Sequence, residues 1–164
     1  MSNVLSQNIK YIMDANILIG FSLWTPIALN GGFWNKLEQA LEEDKWILLD
    51  VVVDEIKRHN IELKKWCERQ QRKGLVVEIS KEEKYRGIEI NNQYEMIDQT
   101  SFNSTVDTYI IAHAEANGLG VFSRESNRAN SNSLYKIPDV CHELKIDNIR
   151  QPLAFLKRIG FKST

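Results

Sequence analysis

Residues 9–16 read Ile-Lys-Tyr-Ile-Met-Asp-Ala-Asn. The apolar run Ile9, Tyr11, Ile12, Met13 is a buried-strand pattern that stops abruptly on Asp14, with Asn16 two residues later. In an α/β protein the carboxyl ends of buried strands form the edge where ligands bind, so a carboxylate there is a candidate functional group.

Strands and helices alternate along the rest of the chain. Ile17–Trp24 is too apolar for surface and reads as a short buried helix stopped by Pro26. Asn30-Gly31-Gly32 reads as a loop, 33–44 as a helix, and Trp46–Leu49 as a second buried strand. Asp50 then stands as the N-cap of a helix expected to run from Val51 to about Lys73, where Gly74 ends it. Residues 75–79 form a third strand. Residues 80–98 carry a weak helical pattern through Tyr85, Ile88, Tyr94 and Ile97, and 99–103 a loop. Ser104-Thr105-Val106-Asp107 fits a capping box opening a helix that ends at Asn117-Gly118. A fourth strand, 119–122, leads into Ser123-Arg124-Glu125. Residues 126–133 lack apolar anchors and read as a mobile loop. Ile137-Pro138 opens a helix, 146–149 an edge strand, and 152–159 a last helix. This order predicts one domain over residues 1–164, with a parallel sheet and helices on both faces.

Topology gathers the acids. Asp14 ends strand one, Glu55 lies a turn into the helix after strand two, Asp107 opens the helix before strand four, and Glu125 follows strand four. All four belong at one sheet edge. Taken singly, Glu55 reads as a solvated helix acid, Glu125 as a loop charge and Asp107 equally as a capping acid, whereas Asp14, after a fully apolar strand, reads as functional rather than as a turn opener. Their joint placement points to a site. Crowded carboxylates repel, and a dication relieves them; hard oxygen donors suit Mg²⁺ or Mn²⁺ and phosphodiester chemistry. Asn16 and Ser123 are short polar groups beside the acids. Lys57 and Arg58, with Arg124 and Arg128, are candidates for nucleic-acid phosphate contacts.

The net charge of -1 excludes a uniformly basic nucleic-acid binder. Cys67 and Cys141 make no CxxC pattern and read as reduced, packed thiols. His59, His113 and His142 read as packed or solvated. No apolar run reaches the length of a membrane span, and the first ten residues lack a signal-peptide core; a cytoplasmic protein without a membrane partner is expected.

Four stretches together resemble PIN domains: Tyr-Ile-Met-Asp-Ala-Asn (Asp14, Asn16), Val-Val-Val-Asp-Glu-Ile (Glu55), Val-Asp-Thr-Tyr-Ile-Ile-Ala-His-Ala (Asp107) and Val-Phe-Ser-Arg-Glu (Ser123, Glu125). Phe33-Trp34, Leu63 with Trp66, Lys-Ile-Pro-Asp-Val-Cys at 136–141 and the closing Phe-Leu-Lys-Arg-Ile-Gly-Phe-Lys resemble more narrowly the PIN-like group DUF4411. The resemblance implies a three-layer α/β/α sandwich with a mainly parallel sheet in order 3-2-1-4-5. It also implies Mg²⁺ or Mn²⁺, endoribonuclease activity on an RNA substrate, a toxin role with a cognate antitoxin, and a homodimer. Asp14, Glu55, Asp107 and Glu125 would be the catalytic metal ligands. Glu125 stands where the pattern has aspartate, and Asn127 and Asn130 stand where a further acid would help. Asp139 is either an outer ligand or the acid of a helix N-terminus. The alternative is a PIN-like module, catalytically weak or inactive, that acts by binding protein or nucleic acid.

Overall fold

The computed structural model describes residues 9–58, 61–97 and 105–162. Five strands, β1 (Tyr11–Met13), β2 (Trp46–Leu49), β3 (Val76–Val77), β4 (Gly120–Phe122) and β5 (Asn148–Ile149), form one sheet in the order β3-β2-β1-β4-β5. Every neighbouring pair is parallel. Helices cover the sheet, giving the expected α/β/α sandwich. The three central strands are buried along their whole length, which is why they read as unbroken apolar runs.

The helices are α1 (Ala15–Trp24), α2 (Gly31–Glu42), α3 (Asp50–Ile56), α4 (Ile61–Arg72), α5 (Lys81–Gln93), α6 (Val106–Asn117), α7 (Ile137–Glu143) and α8 (Pro152–Arg158). An aromatic cluster ties one group of them to the sheet. Phe122 of β4 packs on Phe155 of α8 at 4.3 Å between centroids and on Phe21 of α1 at 6.4 Å. Phe33 joins Phe21 to Phe161, and Trp34 meets Trp66 of α4 at 5.3 Å. On β1, Tyr11 crosses the face of Gly120, and its hydroxyl donates to Asp147 Oδ2 at 2.6 Å. Burial, then the Asp147 contact, pushes that phenol up to about 12.

Several expectations need correction. The long helix from 51 to 73 is two helices, α3 and α4. The first ends at Ile56, with Lys57 and Arg58 in a turn, and the second starts at Ile61, which is 72% exposed; His59 and Asn60 stand between. Both lie outside the described residues, as does the loop of 99–103. Asp50 is not an N-cap but the first residue of α3. Its Oδ1 accepts the N–H groups of Val51 (2.8 Å) and Ile79 (3.2 Å), tying α3 to the segment after β3. Gly31 and Gly32 open α2 instead of forming a loop, because nothing crowds them and the helix behind them has a strong apolar face.

In α5 the inward positions are Gly87 and Ile90, while Tyr85 and Ile88 face solvent. A Cβ on Gly87 would lie 2.9 Å from the Tyr109 ring, so α5 and α6 pack at backbone distance. The capping box of this region is Ser80–Glu83, with Glu83 N–H donating to Ser80 Oγ at 3.1 Å and Ser80 N–H to Glu83 Oε1 at 2.9 Å. Ser104, assigned to a capping box with Asp107, lies outside the described residues. Both cysteines are buried and free, as expected, and burial pushes each thiol up to about 12. No described helix is long and apolar enough to cross a membrane.

Candidate metal and nucleic-acid site

The register of β1 and β4 builds the centre of the site. Met13 lies level with Phe122, so the next residues, Asp14 and Ser123, leave the sheet side by side. Asp14 N–H donates to Phe122 O at 3.1 Å, and Ser123 Oγ–H to Asp14 Oδ2 at 3.4 Å. Asp14 is only 3% exposed and Ser123 1%. Asp14 also sits at the N-cap of α1 without a side-chain capping bond, and the nearby Asn16 and Ala15 N–H groups draw its pKa down. Burial, then the charges of Glu125 and Glu55, outweighs that pull and pushes its carboxyl up to about 7.

Asp107 is brought to the same edge by the first turn of α6. Burial, then Asp14, Glu125 and Glu55, pushes it up to about 8. Glu55, near the end of α3, is half-buried. The four acids named from the sequence therefore act on one another through a desolvated rim. Glu125 is braced from the far side, its Oε2 accepting the Ile137 N–H at 3.0 Å, while its own N–H donates to Ser123 Oγ at 3.2 Å. A cleft of about 410 Å³ opens here, lined by Asp14, Asn16, Ile17, Arg124 and Glu125.

The donor set is all carboxylate, two of the acids hold raised pKa values, and the cleft is open. These features fit a hard dication. Among the described residues no three His, Cys, Asp or Glu side chains stand gathered as a ready ligand set.

The basic candidates separate. Arg124 is exposed and lines the cleft. Arg58 is exposed at the end of α3, and Lys57 is half-buried, its charge bearing on the Cys67 thiol. Further along, Arg69 and Lys73 are tied to Glu38 at 3.0 Å. Arg128 is not a free arm. Its guanidinium carbon sits 3.7 Å from the Tyr135 ring centroid.

The 126–133 segment, expected to be a mobile loop, is instead anchored by Asp139. That carboxylate accepts Asn127 Nδ2 (2.8 Å), Arg128 N–H (3.0 Å) and Lys136 N–H (2.8 Å). Burial raises its pKa, but these bonds outweigh burial and hold it below the ordinary range. Asp139 is thus the acid of a helix N-terminus and a loop anchor. Asn127 is occupied by it, and Asn130 closes the loop tip by accepting Asn132 N–H at 2.8 Å. The sequence carried one signal of this anchor, an acid two residues after Lys136-Ile137 at a proline-opened helix. Its partners eleven and twelve residues upstream carried none.

The family model described as "Domain of unknown function (DUF4411)" matches residues 11–163. No curated protein matches the chain. Among solved structures, a chain of a toxin–antitoxin complex from Klebsiella pneumoniae is similar at 21% identity and a TM-score of 0.43, over 71% of this chain and 87% of that one.

Proposed function

The chain belongs to the DUF4411 family, and we propose that it is a metal-dependent endoribonuclease of PIN-like type that hydrolyses RNA phosphodiesters with Mg²⁺ or Mn²⁺. One observation carries this reading: buried Asp14 and half-buried Asp107, each under the charges of Glu55 and Glu125, have carboxyls raised to about 7 and about 8. Carboxylates crowded in a desolvated cleft cost stability, and a dication is the partner that relieves the cost. When bound, that cation would supply an activated water and charge stabilisation at the phosphoryl group.

The chain's own residues do the rest. Asp14 and Asp107 hold the cation, with Glu55 and Glu125 completing the acidic field. Ser123 fixes the Asp14 rotamer. Asn16, exposed on the cleft wall, faces the incoming phosphodiester, and Arg124 attracts its backbone charge. A toxin role, a cognate antitoxin and a homodimer belong to the same proposal through the resemblance of the motifs.

A Mn²⁺ titration followed by calorimetry, on wild type and Asp14→Asn in parallel, tests the site; an assay on single-stranded RNA tests the reaction. Binding and cleavage by wild type, both lost in the variant, are expected. Folded wild type that binds no Mn²⁺ overturns the reading.

A second reading, a module that works by binding a protein partner, has its own support. No charged residue occurs between Asp14 and Lys36, and within that stretch Leu23, Trp24 and Leu29 are 67%, 85% and 83% exposed. An exposed tryptophan flanked by leucines is the composition of an interface core. Metal-dependent cleavage by clean protein separates the two readings.

A further inference from the structure

A cation–aromatic group that the proposed chemistry leaves unused begins three residues beyond Glu125, at Arg128. Tyr135 lies at its centre. Its ring meets that of Tyr94 at 5.4 Å and 63°, and the Arg128 guanidinium covers it at 3.7 Å. At that separation the guanidinium can only lie roughly parallel to the ring, since an edge-on approach would hold its carbon farther away.

The group is held rigidly. Asp139 fixes the backbone of Arg128, Tyr135 N–H donates to Glu95 O at 2.8 Å, and the Glu125–Ile137 bond closes the loop at its base. It also stands between the elements that carry two of the acids. Arg128 follows Glu125 by three residues. Tyr94 ends α5, whose last turns lie against the start of α6, where Asp107 sits; Gly87, Asn91, Thr105 and Thr108 line one small cavity at that junction.

The Arg128 donors are nearly idle. Among the described residues the guanidinium makes one hydrogen bond, from Nη1 to Ser133 O at 3.5 Å, and no ion pair. A loop strut needs neither an immobilised planar cation nor its spare donors. A ligand with a π-face and a negative charge uses both, and a nucleotide has both. Arg124, inside the cleft, is better placed for the reacting phosphate.

We propose that Arg128, laid over Tyr135, is a stacking shelf for one nucleobase of single-stranded RNA, beside the phosphodiester held at the carboxylates. This rests on the ribonuclease reading for its substrate, and it assigns Arg128 to base contact where charge alone suggested phosphate contact. Tyr135 acts through Arg128 as a positioning residue, and Tyr94 buttresses Tyr135.

The test is fluorescence anisotropy with a short labelled single-stranded RNA in Ca²⁺, using an intact strand and a set carrying one abasic residue at successive positions. For wild type, one abasic position should weaken binding roughly fivefold to a hundredfold, the range for one stacked base. Arg128→Lys keeps the charge and loses the plane. It should bind the intact strand as weakly as wild type binds that abasic strand, and it should no longer sense the abasic position. Tyr135→Leu should behave alike, whereas Arg124→Ala should weaken all strands equally. Unchanged Mn²⁺ calorimetry of Arg128→Lys shows that the fold and metal site are intact. Wild-type binding that is blind to every abasic position, an Arg128→Lys protein that matches wild type, or no RNA binding at all overturns the shelf. Abasic sensitivity without metal-dependent cleavage overturns the nuclease and leaves the shelf standing.

Discussion

Asp14 shows how much one position can be asked to do. It ends a strand, opens a helix and sits almost fully buried among other carboxylates. Asn at this position keeps the shape and an oxygen near the Asn16 and Ala15 N–H groups but removes the charge. Asp14→Asn and Asp107→Asn should therefore each abolish metal-dependent cleavage, by more than the roughly 10–100-fold that outer-shell losses cost. Each should also raise the thermal midpoint of the metal-free protein at pH 8, because a repelling buried charge is gone. Activity assays and thermal unfolding on the same preparations check both; a variant that loses activity and melts lower would mean a structural acid instead. At this scale the sequence was informative about identity, since Asp14, Glu55, Asp107 and Glu125 were all named from it. It was silent about burial, which is what separates a raised Asp14 from any surface aspartate.

Among the elements, the seam between β1 and β4 sets the site, because it places Asp14 beside Ser123 and leads to Glu125. Gly120 makes the seam possible: a Cβ there would lie 2.5 Å from Tyr11 Cε1 and 3.0 Å from Asp147 O. The ring is pinned by its hydroxyl bond to Asp147 and cannot swing away freely. Gly120→Ala should cost about 1–3 kcal/mol, as overpacking in a full core does, and chemical denaturation should show it as a lower midpoint with an unchanged slope. An unshifted midpoint would mean that the ring has room to move.

The α5–α6 pair is a second support, since α6 carries Asp107. Glu83 caps α5 and accepts from Asn117 Nδ2 at 2.9 Å, with His113 Nδ1 at 3.0 Å from the same carboxylate. Burial raises the Glu83 pKa, but the Ser80 N–H, His113 and Asn117 together hold it below the ordinary range. Glu83→Ala should cost about 1 kcal/mol, the typical value of a lost cap, measured by the same denaturation. The cap was legible in the sequence as Ser80-x-x-Glu83; the competing Ser104-x-x-Asp107 match drew attention from it.

For the whole molecule, the raised and lowered acids give stability a defined pH profile. Asp14 and Asp107 have folded pKa values of about 7 and about 8 against an ordinary 3.8. The folded state keeps protons that the unfolded chain releases, so the stability they confer is full below about pH 4 and is lost as pH rises through 7–8. Glu38, Glu83, Glu115 and Asp139 are held low, so their contribution is full above the ordinary carboxylate range and is lost as pH falls through their folded values. The metal-free protein should be most stable near pH 5 and weaken by on the order of a few kcal/mol by pH 8. Saturating Mn²⁺ should erase most of the loss at pH 8 and do little at pH 5, where the ligands are protonated. Thermal unfolding across that range, with and without Mn²⁺, decides it; a flat metal-free profile would mean that the carboxyls are not coupled as described.

The sequence by itself determined the sheet, its parallel sense and the set of acids at one edge. Unbroken apolar runs ending on polar residues can be satisfied only by doubly covered parallel strands, and in such a sheet each strand end and following helix start must share a rim. Local pattern could not decide continuity. Nothing in the periodicity of 51–73 showed that the helix would end at Ile56 and restart at Ile61, and nothing in the polar stretch 126–133 showed that Asp139 would hold it. Those outcomes depend on contacts between residues far apart in the chain, as does the stacking of Arg128 on Tyr135. Only the tertiary structure decided the burial of Asp14 and Asp107, because desolvation is set by everything packed around a group, and it is desolvation that turns four ordinary acids into a candidate metal site.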